Sequence, residues 1–134
     1  MKFYGYVSPK PFAGMSMPAP AQSTCLREFA SNRGALFVLP YLESHFDNCY
    51  HQLFGLVADA DTKSTIAMYS VTMLPNREKR TLFFNECQKK AISLGFVLEA
   101  LLDEYPFKQT VEEIQNYELE SLSLHVDEFL RLEE

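Results

Sequence analysis

The sequence predicts a three-layer α/β domain, a parallel sheet of about four strands in the order 2-1-3-4 flanked by helices. Short runs rich in aromatic and β-branched residues alternate with longer stretches whose apolar residues recur three and four apart, the pattern of βαβ units. The short runs are apolar almost throughout, as suits strands covered on both faces. With 134 residues, 47% of them hydrophobic, the chain can build one sizeable core.

Strands are expected at 2–7 (KFYGYV), 35–40 (ALFVLP), 64–71 (STIAMYSV) and 95–101 (GFVLEAL). Helices are expected at about 20–33, 46–60 and 76–93, where Leu53, Leu56 and Val57, or Leu82, Phe83 and Cys87, share a face. The stretch 32–34 (NRG) ends the first with a glycine able to take a left-handed cap. A last helical segment, about 109–131, starts near Thr110, which forms a T-x-x-E capping box with Glu113. Along it Leu122, Val126, Phe129 and Leu130 make one apolar stripe, which covers the sheet or packs on a second subunit. A homodimer through this stripe is expected, since symmetric pairing is the commonest way to bury surplus apolar surface. Residues 1–134 read as a single domain with no repeat and no disordered linker.

A net charge of −6 and a pI near 5.1 argue against a nucleic-acid partner, because affinity for phosphate backbones depends on Lys and Arg displacing counterions. Three cysteines without a C-x-x-C pair, behind an N-terminus lacking the apolar core of a signal peptide, point to the reducing cytoplasm. No run approaches the roughly 20 apolar residues that a membrane-spanning helix needs, so no membrane partner is expected.

In open parallel sheets, ligands bind beyond the carboxyl ends of the strands, where strand order reverses. The first exit releases Ser8, Lys10, Phe12 and a loop that Pro9, Pro11, Pro18 and Pro20 restrict and Gly14 relaxes. Such a loop is either pre-stiffened for a ligand or a crossover stiffened for stability. It is not a glycine-rich phosphate loop. The second exit releases Tyr41, Glu43 and His45, and the third Tyr69 and Ser70.

In 45–51 (HFDNCYH), His45 with Cys49 or Asp47 with His51 would share a helical face, but all four do not, so no metal site is assigned. Cys49 is a candidate nucleophile; the competing reading packs it inside with Asp47 or Ser44 as helix cap. Glu99, at the end of strand four, is either a general base with a raised pKa or a structural carboxylate bound to backbone amides. Arg80 is the better placed of Arg77 and Arg80 to meet an anionic ligand.

Residues 4–101 resemble a small family called sporadic carbohydrate cluster proteins, encoded among bacterial surface-polysaccharide genes. The likeness rests on GY-S-P-F-G and P---Q between Gly5 and Gln22, NCY at 48–50, YS---LP at 69–75 with Arg80, and F-LE at 96–99. It implies a cytoplasmic role in O-antigen or capsule biosynthesis, and with the exits it suggests a site for a sugar or nucleotide-sugar. Ser8, Cys49 and Glu99 would be catalytic, and Lys10, Gln22, Asn48, Tyr50, Tyr69, Ser70 and Arg80 would bind ligand; no cofactor is identified. The alternative is a non-catalytic interaction module for a carbohydrate-biosynthesis enzyme. The same order of elements, flavodoxin-like or resolvase-like, also resembles the catalytic domain of serine recombinases, with Ser8 in the nucleophile's place. The arginine-bearing segment expected there after strand three is instead TMLPN, 72–76, which leaves shared architecture rather than DNA chemistry.

Overall fold

A computed structural model describes the backbone of residues 1–133 and the side chains of residues 1–120; the stripe at Leu122, Val126, Phe129 and Leu130 lies outside the described side chains. The elements run β1 (Lys2–Val7), α1 (Ala19–Ser31), β2 (Leu36–Leu42), α2 (His51–Asp59), β3 (Thr65–Met68), a 3₁₀ turn (Val71–Met73), α3 (Arg77–Lys89), β4 (Ser93–Phe96), β5 (Leu101–Asp103) and α4 (Lys108–Glu133). They form one sheet ordered β2-β1-β3-β4-β5. The first four strands are parallel, and β5 returns antiparallel to β4. Strand order reverses at β1, so the exits of β1 and β3 flank the position where this architecture leaves a crevice.

The two faces of the sheet are covered unequally. Phe3, Val7 and Ala67 pack with Leu26, Phe29 and Ala30 of α1 on one side. A β-carbon on Gly95 would sit 2.9 Å from the Phe29 ring, so the missing side chain is what lets α1 lie this close. The other face carries the larger cluster, in which Tyr6, Ile66, Met68, Leu94 and Phe96 meet Leu53, Leu56 and Val57 of α2 and Phe83 and Cys87 of α3. Burial pushes the Cys87 thiol up to about 12, as expected of a packing residue rather than a reactive one. At the sheet's edge, β2 exposes Leu36, Leu39 and Leu42, while Pro40 sits within a register shift opposite the Tyr4–Tyr6 segment.

Several expected boundaries move. The run read as one strand at 95–101 is a hairpin: β4 ends at Phe96, the chain turns at 97–100 with an Ala100 N–H to Val97 carbonyl bond of 3.1 Å, and β5 follows. Ala100 carries the positive φ of that turn (52°), a conformation its residue type does not advertise. The sheet therefore has five strands where four are expected. The third strand stops at Met68 because Ser70 caps the 3₁₀ turn, its side chain accepting from the Thr72 N–H.

Helix α2 begins at His51, not near 46, so the helical spacing anticipated for His45, Asp47 and Cys49 does not exist. Thr110 lies inside the first turn of α4; its N–H and hydroxyl donate to Asp103 Oδ2 at 2.8 and 2.7 Å in place of a local capping box with Glu113. Gly34 has the left-handed φ expected after the first helix, 65°.

Candidate functional site

The loop after β1 is held at its base by Gln22. The Ser8 N–H donates to Gln22 Oε1 at 3.2 Å, and Gln22 Nε2 donates to the carbonyls of Ser8 at 2.7 Å and Met17 at 2.8 Å. Gln22 is fully buried, so its amide serves the loop itself. At the tip, Phe12 and Met15 exchange two backbone hydrogen bonds of 2.9 Å around Ala13 and Gly14, both at positive φ. Phe12 turns inward against the Tyr69 ring, with centroids 5.7 Å apart. The Ser8 hydroxyl accepts from the Lys10 N–H at 3.3 Å. The prolines, the amide brace and the tight tip thus set the base and tip of the loop without a ligand.

Beyond β2 stands Glu43, only 2% exposed. Its carboxylate accepts from the N–H groups of Ser44, Gln52 and Leu53 and from the Tyr6 hydroxyl at 3.1 Å, which satisfies the open amides at the start of α2. Neither Asp47 nor Ser44 is the cap; Asp47 is exposed, and the Ser44 hydroxyl has no partner among the described residues. The Cys49 thiol points at Glu43 Oε1, 3.8 Å away. His45 and His51 are exposed, and among the described residues no three His, Cys, Asp or Glu side chains gather as a metal set.

The segment Asn48–Tyr50 is fixed by two lysines. Asn48 adopts a φ of 57°. Lys79 donates to the Asn48 carbonyl, Asn76 Nδ2 reaches Asn48 Oδ1 at 3.4 Å, and Lys10 donates to the carbonyls of Phe46 and Cys49. The same two ammonium groups lie 4.5 Å (Lys10) and 5.7 Å (Lys79) from the centre of the Tyr50 ring. Burial, then the charge of Glu43, pushes the Tyr50 phenol up.

At the third exit, Glu99 reaches across from the β4–β5 turn. Its carboxylate accepts from the Val71 N–H at 2.8 Å and from the Ser70 hydroxyl at 3.1 Å, and Ser70 Oγ lies 2.9 Å from Thr72 Oγ1. Burial raises the Glu99 pKa, opposed by the Val71 and Ser70 hydrogen bonds and reinforced by Glu113. Tyr117 of α4 flanks the group, its phenol pushed up first by burial and then by the Glu99 charge, and held back by the nearby Ser70 hydroxyl.

Among the described residues, two clefts border the exits of β1, β2 and β3. The smaller, of 190 Å³, is lined by Ser8, Lys10, Phe12, Asn48, Tyr50 and Thr72, among others. The larger, of 590 Å³, lies under α4 between Gly14, Val71, Thr72, Arg80, Ile114 and Tyr117. Thr72 belongs to both walls. Ser8, Lys10, Asn48 and Tyr50 therefore come together, while Arg80 belongs to the second cleft and the Ser70–Glu99 pair joins them only through Thr72. Gln22, Tyr69 and Cys49 support the loops and line neither cleft. Thr72, Lys79 and Tyr117 carry no sequence signal of their own; the S-x-T spacing at 70–72, two hydroxyls directly after a strand, is the nearest to one.

No family model matches the chain, and no curated protein matches it significantly. Among solved structures, it is similar to the N-terminal catalytic domain of TP901-1 integrase, with a TM-score of 0.59 over 98% of this chain and 97% of that one, at 16% identity. The fold is resolvase-like. At that identity the likeness describes architecture: a mostly parallel five-stranded sheet with helices on both faces. Among the described residues, no helix is long and apolar enough to cross a membrane.

Proposed function

We propose that the chain binds a sugar phosphate or nucleotide-sugar at the carboxyl edge of its sheet, as a cytoplasmic component of bacterial surface-polysaccharide biosynthesis. The observation that carries the reading is the convergence of Ser8, Lys10, Asn48, Tyr50 and Thr72, from three strand exits, on one concave surface that continues through Thr72 to Arg80. Concavity with a few convergent polar groups is the usual form of a small-molecule site. An aromatic face beside hydroxyls and an amide suits the C–H and O–H surfaces of a sugar, and Arg80 supplies a cation for a phosphate. The carbohydrate class itself comes from the sequence resemblance at 4–101. If the site is catalytic, Glu99 is the acid–base candidate, because burial raises its carboxyl pKa and Ser70 joins it to Thr72 on the wall of the larger cleft.

Two further readings each have an observation behind them. An interaction module is favoured by the exposed Leu36, Leu39, Leu42 and Phe46. Phosphoryl transfer on DNA is suggested by the integrase-like fold, with Ser8 after β1. Against it stand the net charge of −6 and the engagement of Lys10 with loop carbonyls rather than with an open anion site.

The test is an amide chemical-shift titration of the whole chain with UDP-glucose, glucose 1-phosphate and duplex DNA at physiological salt. Shifts from either sugar probe at Lys10, Asn48, Tyr50, Thr72 and Arg80 are expected. Saturable DNA binding with no response to the sugars would replace the carbohydrate reading with the recombinase one.

A further inference from the structure

We infer that Glu99, acting through Ser70, sets the hydrogen-bonding polarity of Thr72 on the wall shared by the two clefts, so that the site offers a ligand hydroxyl an acceptor in one state and a donor in the other. This deepens the carbohydrate reading and depends on it only for the ligand's identity.

The argument is a count of protons. Ser70 is fully buried and its hydroxyl has one hydrogen, which it gives to Glu99 Oε2 at 3.1 Å. At its 2.9 Å contact with Thr72, Ser70 Oγ must then accept, so Thr72 donates inward. Thr72 Oγ1 is left with only lone pairs to turn toward the clefts that it lines. The other Glu99 oxygen is tied to the Val71 N–H at 2.8 Å, which keeps the carboxylate in line with Ser70.

When Glu99 takes up a proton on Oε2, every bond in the chain can reverse without movement of a heavy atom. Glu99 then donates to Ser70, Ser70 to Thr72, and the Thr72 hydrogen is released toward the cleft. The charged and titratable groups facing this chain are Glu113 and Tyr117 of α4, with Arg80 of α3 and Glu118 and Glu120 of α4 around the larger cleft. Burial and Glu113 both favour the protonated form of Glu99, which brings the reversal closer to neutral pH. Ser70 also caps the 3₁₀ turn by accepting from the Thr72 N–H, but a cap alone gives Thr72 no reason to follow the charge on Glu99.

The inference can be tested on the whole chain without a ligand, by following the Thr72 methyl and the Glu99 carboxyl carbon by NMR from roughly pH 4 to pH 8. Both are expected to titrate with one midpoint above the ordinary glutamate value. Ser70→Ala should abolish the Thr72 step and leave the Glu99 titration in place; Glu99→Gln, which keeps the shape, should flatten Thr72 as well. A flat Thr72 in the native protein, or a step that survives Ser70→Ala, overturns the relay, and if one variant fails to fold the other still decides.

A second arm titrates UDP-glucose and glucose 1-phosphate. Their affinity should change about fivefold across the Glu99 step, the size of one neutral hydrogen bond, and should lose that change in Glu99→Gln. Probes that bind with no such change also overturn the relay. A native relay with no binding of either probe supports the inference and counts against the carbohydrate reading alone.

Discussion

Glu43 and Glu99 perform the same local service in different surroundings. Each is a carboxylate just beyond the carboxyl edge of the sheet, and each accepts backbone N–H groups at the start of a helical segment, α2 for one and the 3₁₀ turn for the other. Glu43 is sealed, with the Tyr6 hydroxyl, three backbone N–H groups and the Cys49 thiol donating to it and 2% of its surface exposed. Glu99 is half-buried, has two partners, and is linked through Ser70 to Thr72 on the wall of the larger cleft, with Tyr117 beside it. One carboxylate is committed to holding the fold, whereas the other is partly open and shares its hydroxyl partner with Thr72 on the cleft wall.

The largest test of that contrast is Glu43→Ala. It leaves the α2 amides and the Tyr6 hydroxyl buried without an acceptor, and should cost about 3 kcal/mol in urea denaturation. A loss as small as that expected for an exposed glutamate would break the comparison. Next comes Tyr6→Phe, which removes one donor from the same carboxylate and keeps the ring in the core. About 1 kcal/mol is expected, by the same measurement.

The smallest effect, and the one with a distinctive sign, is Glu99→Gln. A carboxyl whose folded pKa lies above its unfolded value adds stability that is fully present below the unfolded value and is lost as pH rises through the folded one. The variant lacks that loss, so its stability relative to the native protein should rise from roughly pH 4 to pH 7. Paired urea titrations cancel contributions the two proteins share, such as that of Asp61, which Lys2 holds below the usual carboxylate range. A difference that falls with pH would mean that hydrogen bonding outweighs burial at Glu99.

The same carboxylates mark what could be read from the chain beforehand. Strands one to three and their order are legible because near-continuous apolar runs and Gly34 are local signals. The edge where Ser8, Tyr69 and Ser70 emerge follows from that order. What stayed hidden was capping at a distance. Glu43 serves amides nine and ten residues on, and Asp103 serves Thr110 seven residues on, whereas sequence rules look for a cap within three. The β4–β5 turn was hidden for a different reason: its residues, Val97 to Ala100, include no Gly, Pro, Asn or Asp, and its positive φ falls on an alanine. Thr72 was missed because its importance lies in bordering two clefts, one walled by α4 and the other by loops that meet only in the folded chain.

Strand β2 has a consequence for the protein's behaviour at high concentration. Its sequence, LFVLPYL, contains no charge, and its outer backbone is the kind of open edge on which neighbouring molecules add strands until they polymerise. Charged gatekeepers usually guard such a segment; here the guard is geometric. Pro40 deletes a donor in mid-strand, and the register shift beside it breaks the ladder into two short runs, 36–38 and 41–42. Colloidal stability at this edge thus rests on one imino acid and one slipped residue, and a valine in place of Pro40 would restore the missing donor and leave the slipped residue as the remaining guard.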